Sequence, residues 1–124
     1  MNRIEYIKEK IEKLDFSKSL VKPFMVNKYR KEDDGRILTF SPLTGKICVL
    51  NPTLALIYET IIQRAPVDFH EILAVLSDVY DEVSINILER DLKGALTWLL
   101  LNGFVELEGG EGIVNIQTLL EDGA

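Results

Sequence analysis

The sequence predicts an α+β domain in which a small antiparallel sheet precedes three helices. Three observations carry that expectation. Apolar residues recur at helical spacing in residues 3–14, change to strand spacing from Met25, and return to helical spacing after Asn51. The two turns between the strand-like runs each end on a glycine, Gly35 and Gly45, a residue able to take the positive φ of a hairpin return. Asn51-Pro52, Asp68 with Glu71, and Asn102-Gly103 are helix start and stop signals. With 124 residues, 47% of them hydrophobic and 27% charged, the chain has the make-up of one folded domain.

Each element has its own reason. Ile4, Ile7, Ile11 and Leu14 place one apolar stripe on a first helix, too short for a coiled coil, so it packs on its own domain or on a copy of itself. Residues 15–24 lose the period and contain Pro23, which predicts a linker. Residues 25–31, 36–41 and 46–50 are rich in Val, Ile, Tyr, Phe and Thr and predict a three-stranded meander. Within it Leu38 and Phe40 share a face, as do Ile47 and Val49, with Cys48 and Leu50 opposite. Consecutive hairpins lie side by side, so the third strand keeps an open edge. Asn51 caps the next helix, whose stripe is Leu54, Ile57, Tyr58 and Ile61. Asp68 and Glu71 form a capping box ahead of Phe69, Ile72, Leu73, Leu76 and Tyr80. The third helix starts near Ser84 or Asn86 and stops at Asn102-Gly103. Residues 104–107 and 113–117 flank a Gly-rich turn and predict a small hairpin, which makes the whole winged-helix-like.

Composition removes several kinds of chemistry. A single cysteine, Cys48, excludes an internal disulfide, and a single histidine, His70, leaves little for a transition-metal site. His70 stands in Asp68-Phe69-His70-Glu71, remote from any activated-serine motif, and is expected to be a surface helix residue. Glu108-Gly109-Gly110-Glu111-Gly112 has no following Lys-Ser/Thr and is no phosphate loop. The expectation is a protein that is not an enzyme, with no catalytic residue, no metal and no cofactor. No apolar run is long enough to cross a bilayer, and the N-terminus lacks the apolar stretch of a secretory signal. A cytoplasmic protein without a membrane partner is therefore expected. Residues 1–31 hold nine Lys/Arg against four acids, a net +5. The remainder holds five against sixteen, a net −11 within an overall charge of −6. So acidic a body repels phosphate backbones, and no nucleic acid partner is expected.

The third helix has an excess of apolar surface. Leu88, Leu92, Ala95, Leu96 and Leu99 already supply one stripe. Ile87, Gly94, Trp98 and Leu101 lie on another flank, with Arg90 and Thr97 beside them. That second flank either covers another element, such as the hairpin or the first helix, or is open to a ligand. Gly94 in mid-helix costs about 1 kcal/mol relative to alanine, which points to a close approach there.

Several of these stretches carry a resemblance. Asp33-Asp34-Gly35-Arg36-Ile37-Leu38, Leu43-Thr44-Gly45-Lys46 and Val49-Leu50-Asn51-Pro52-Thr53 resemble the PqqD-like family, whose members carry a strand ending in Leu-Asn before the first helix of the domain. Phe69-His70-Glu71-Ile72, Leu76, Tyr80, Leu92, Leu99 and Asn102-Gly103-Phe104-Val105-Glu106 are similar to its second and third helices and their exit. The resemblance spans residues 25–108, leaving residues 1–24 as an N-terminal helix and linker and 109–124 as a hairpin strand and tail. Arg64-Ala65-Pro66 stands where many relatives carry an Asp-Gly turn.

Such proteins are also called RiPP recognition elements. The resemblance implies a non-catalytic peptide chaperone that binds the leader of a ribosomally made precursor peptide and presents it to a modifying enzyme, such as a radical SAM maturase. It implies that the leader adds as a strand to the third strand, between that strand and the third helix. The expected site is then Lys46, Ile47, Cys48, Val49 and Leu50 along the edge, with Ile87, Trp98 and Leu101 taking apolar leader residues. Gly94 admits the peptide backbone, Thr97 lies alongside, and Arg90, Lys93 or Lys46 pair with leader acids. Two other readings compete. A winged-helix DNA-binding protein would need a basic recognition helix, whereas Glu89, Arg90, Asp91 and Lys93 cancel here. A structural module would instead form a homodimer through the Ile4/Ile7/Ile11/Leu14 helix.

Overall fold

In a computed structural model, residues 2–25, 28–110 and 112–122 are described. The elements run α1 (Arg3–Glu12), a 3-10 turn (Phe16–Lys18), β1 (Leu20–Pro23), β2 (Arg30–Lys31), β3 (Ile37–Phe40), β4 (Ile47–Leu50), α2 (Pro52–Arg64), β5 (Val67–Asp68), α3 (Phe69–Val79), α4 (Ile85–Leu101), β6 (Val105–Gly109), β7 (Gly112–Val114) and α5 (Ile116–Asp122). The predicted α+β order of three-stranded sheet, three helices and hairpin is observed. The strands form two antiparallel sheets, ordered β5-β1-β6-β7 and β2-β3-β4.

Local chemistry explains most boundaries. Asn51 Oδ1 accepts the Leu54 N–H at 2.9 Å and Pro52 opens α2, as its missing N–H allows. Asp68 Oδ1 accepts the Glu71 N–H at 2.8 Å at the start of α3. Ser84 occupies the N-cap of α4 without a side-chain capping bond, and Gly103 ends that helix at φ +82°. Both hairpin glycines take the expected positive φ, +94° at Gly35 and +73° at Gly45. The Ala65–Pro66 peptide bond is cis.

Two segments depart from expectation. Residues 15–24, expected as a linker, hold the 3-10 turn and β1, which is an inner strand of its sheet. Val21 is buried, paired with Val67 on one side and Leu107 on the other. β5 reaches only as far as Val21, so Pro23 lies where β6 alone borders β1 and its missing donor is tolerated. Residues 113–117, expected as a strand, are instead the end of β7 and the start of α5. Asn115 causes the change: its Oδ1 accepts the Thr118 N–H at 2.9 Å while the Thr118 hydroxyl accepts the Asn115 N–H at 2.9 Å. Of the first expected strand, 25–31, only Arg30–Lys31 is strand; Val26 and Asn27 lie outside the described residues.

The core joins the elements. Ile7 and Ile11 of α1 are buried and Ile4 is exposed, so this helix packs on its own domain. Arg3 also donates to the Leu120 carbonyl of α5 at 2.6 Å. Tyr58 and Phe104 are fully buried, with Ile57, Ile61, Ile72, Leu92, Leu96 and Leu99 around them.

Candidate functional site

β4 pairs only with β3, so it is an edge strand. The register sets Phe40 opposite Ile47, Thr39 opposite Cys48, Leu38 opposite Val49 and Ile37 opposite Leu50. Ser41 N–H donates to the Lys46 carbonyl at 2.8 Å, which makes that pair hydrogen-bonded. Antiparallel pairs alternate, so Cys48 and Leu50 bond to β3, while the N–H and C=O of Ile47 and Val49 point to the open side. Both side chains are exposed as well, Ile47 at 74% and Val49 at 51%. Leu50 is fully buried and Cys48 half-buried, so the inward residues belong to the core. Burial pushes the Cys48 thiol above its ordinary value and keeps it protonated at neutral pH. Lys46 precedes the strand, is exposed, and has no ion pair among the described residues.

The α4 residues divide into two sets. Ile87 is exposed, Arg90 is exposed beside Asp91 at 3.8 Å, and Leu101 is half-buried against the core. Trp98 is 36% exposed, and its ring stacks on Phe104 with centroids 5.6 Å apart and planes 19° apart. Phe104 meets Tyr58 edge-on at 5.4 Å, and Tyr58 meets Tyr29 edge-on at 6.1 Å. A row of four rings thus runs from the α4 flank through the core to the strand side of the molecule. The Tyr58 hydroxyl at its centre is buried with no hydrogen-bond partner among the described residues, and burial raises its pKa.

Lys93, Gly94 and Thr97 instead line a groove of about 400 Å³ with Ile11, Leu14, Asp15 and Phe16. Lys93 contributes to holding the Asp15 carboxyl below its usual range, after the larger effect of the Ser17 hydrogen bond. The Thr97 hydroxyl is spent on the Lys93 carbonyl at 2.8 Å. A Cβ on Gly94 would meet nothing within 4 Å, so no described residue makes the close approach expected there. These three residues look toward the end of α1.

β4 and α4 are connected through α2, on which both pack. The β3–β4 turn reaches the end of α4 too: a Cβ on Gly103 would lie 3.3 Å from Leu43 and 3.5 Å from Pro42. The edge and the Trp98 flank are therefore carried on one frame. No protein-family profile, curated protein or solved structure matches this chain. No helix among the described residues is long and apolar enough to cross a membrane. Tyr29, Leu38 and Phe40 were absent from the expected site, yet they line a surface pocket beside Ile47. The signal for it was present: Leu38 and Phe40 alternate with Ile37 and Thr39, so β3 is apolar on both faces.

Proposed function

We propose that this is a non-catalytic peptide-binding protein of the cytoplasm. It takes the leader of a ribosomally made precursor peptide as an added strand on β4 and presents it to a modifying enzyme. The observation that carries the reading is the open β4 edge, where Ile47 and Val49 direct both backbone groups and side chains outward. An extended peptide satisfies such an edge through main-chain bonds largely indifferent to sequence, and neighbouring side chains supply selectivity. Trp98, Ile87 and Leu101 are the apolar candidates, and Lys46 and Arg90 the cationic ones. The cancelling charges of Glu89, Arg90, Asp91 and Lys93 favour a peptide over duplex DNA.

The test uses the leader segment of a precursor encoded beside this protein. Truncating a tryptophan anchor costs about 2 kcal/mol, roughly thirtyfold in affinity. Trp98→Ala is expected to weaken leader binding at least tenfold in a protein whose circular dichroism is intact. Val49→Pro removes an edge-facing N–H and is expected to abolish binding. Amide exchange is expected to slow at residues 46–50 on adding the leader. Protection confined to α1, or tight binding of duplex DNA in a low-salt mobility shift, would sink the reading.

A further inference from the structure

The β2-β3-β4 sheet is apolar on both faces. Its inner face buries Ile37 and Leu50. On its outer face the ladder aligns Arg30, Leu38 and Val49 in one cross-strand row. In the next, Phe40 pairs with Ile47, and Lys28, just ahead of β2, lines the same surface pocket as both. The first row reads cation, hydrocarbon, hydrocarbon from β2 to β4, and both cations lie on the β2 side of the pocket. Phe40 is 50% exposed, and with Ile47 and Val49 it makes a continuous apolar surface. A shallow pocket of about 320 Å³ opens where Lys28, Arg30, Leu38, Phe40 and Ile47 meet. Arg30 is already held by Glu32 at 2.7 Å, whereas Lys28 has no ion pair among the described residues.

A sheet with two apolar faces belongs in the middle of a layered core, covered on each side. Here the inner face is covered by the chain itself, whereas Phe40, Ile47 and Val49 on the outer face are half or more exposed. We propose that this outer face docks an amphipathic helix of a partner protein, one whose apolar stripe is bordered on one side by Asp or Glu. The dimensions suit a helix: the rows lie about 7 Å apart and the three strands span about 10 Å, a footprint of about two helical turns. The one-sided cations set the charge of the border, with a carboxylate meeting Lys28. A second copy fits poorly. Two such faces pressed together would either oppose their cations or lay Lys28 on the hydrocarbon of Ile47 and Val49. A peptide on the β4 edge would lie beside this face, so the inference stands whether or not strand addition does.

The test uses the full chain, isotope-labelled for amide spectra, and two synthetic helical peptides of about 14 residues. Both carry a leucine stripe, one bordered by Glu and the other by Lys. The Glu peptide is expected to shift the amides of residues 38–40 and 47–49 and to bind at least about tenfold tighter than the Lys peptide. Lys28→Glu is expected to reverse that preference, and Phe40→Ser to abolish binding. If Phe40→Ser fails to fold, the Lys28→Glu reversal decides. Vesicles of phosphatidylglycerol are expected not to co-sediment with the protein. Equal affinities, no binding, shifts confined to α4 and α1, or vesicle binding that Lys28→Glu removes would each overturn the proposal.

Discussion

The two sheets of this protein differ in the charge they place on their outer faces. In β5-β1-β6-β7 Val21, Val105 and Leu107 are buried while Lys22, Glu106 and Glu108 turn away from the core, with exposed Leu20 and Ile113 on either side of Glu108. The three charged residues close into a cluster, with Lys22 Nζ 3.0 Å from Glu108 and 3.5 Å from Glu106, and Asn115 donating to Glu106 at 3.1 Å. In β2-β3-β4 the positions that should be polar hold Leu38, Phe40, Ile47 and Val49. One surface sets ion pairs among its exposed apolar side chains. The other has no charged side chain on β3 or β4 and keeps Phe40, Ile47 and Val49 in water, the surface proposed above to dock a partner.

The comparison breaks most visibly on stability. Leu107→Ala removes a fully packed side chain from the inner face of the first sheet and is expected to cost about 3 kcal/mol in urea unfolding. Val49→Ala, on the outer face of the second, is expected to cost less than about 0.5 kcal/mol. A large loss at Val49 would mean that its face is structural after all.

Asn51 sharpens the contrast at the junction of edge and helix. Its cap bond to Leu54 predicts a loss of about 1 kcal/mol for Asn51→Ala, matched by Asp68→Ala at α3. Weaker leader binding at an unchanged melting temperature would instead make Asn51 a ligand contact.

The Lys22 charge of the first sheet's cluster should register at high pH. The hydrogen bond to Glu108 raises the Lys22 pKa above its ordinary 10.5, with Glu106 adding to it. The pair's contribution is fully present below pH 10.5 and is lost as pH rises through the higher folded value. Lys22→Met is therefore expected to flatten the fall in stability above pH 10.5, and an unchanged slope would remove the cluster from the argument. Substitutions on the outer face of the second sheet should leave that slope alone.

The smallest effect is expected at Cys48. Its thiol is half-buried and held protonated, so Cys48→Ala should leave leader affinity within about threefold. Complete loss of binding in a folded Cys48→Ala protein would give the thiol a role that its surroundings do not explain.

What was legible beforehand followed from interactions within a few residues. The caps at Asn51 and Asp68, the stop at Gly103, the glycine turns and the stripes of α2, α3 and α4 each depend on neighbours three or four positions away. So does the alternation that turns Ile47 and Val49 outward. α5 was legible in principle, because Asn115 and Thr118 are three apart, but the alternation of residues 113–117 masked it.

β1 is different. Its four residues carry no periodic signal, and they become a strand because β6, more than eighty residues later, pairs with all four of them, and β5 with Leu20 and Val21 on the other side. The α4 flank was ambiguous for the same reason. Helical spacing placed Ile87, Arg90, Lys93, Gly94, Thr97, Trp98 and Leu101 on one broad side. Packing then turned Lys93, Gly94 and Thr97 toward α1, and laid Trp98 on Phe104. Short-range geometry and capping were written in the residues themselves. Which strand found which partner, and which apolar face stayed in water, depended on contacts between segments distant in the chain, and those exist only once the core has closed.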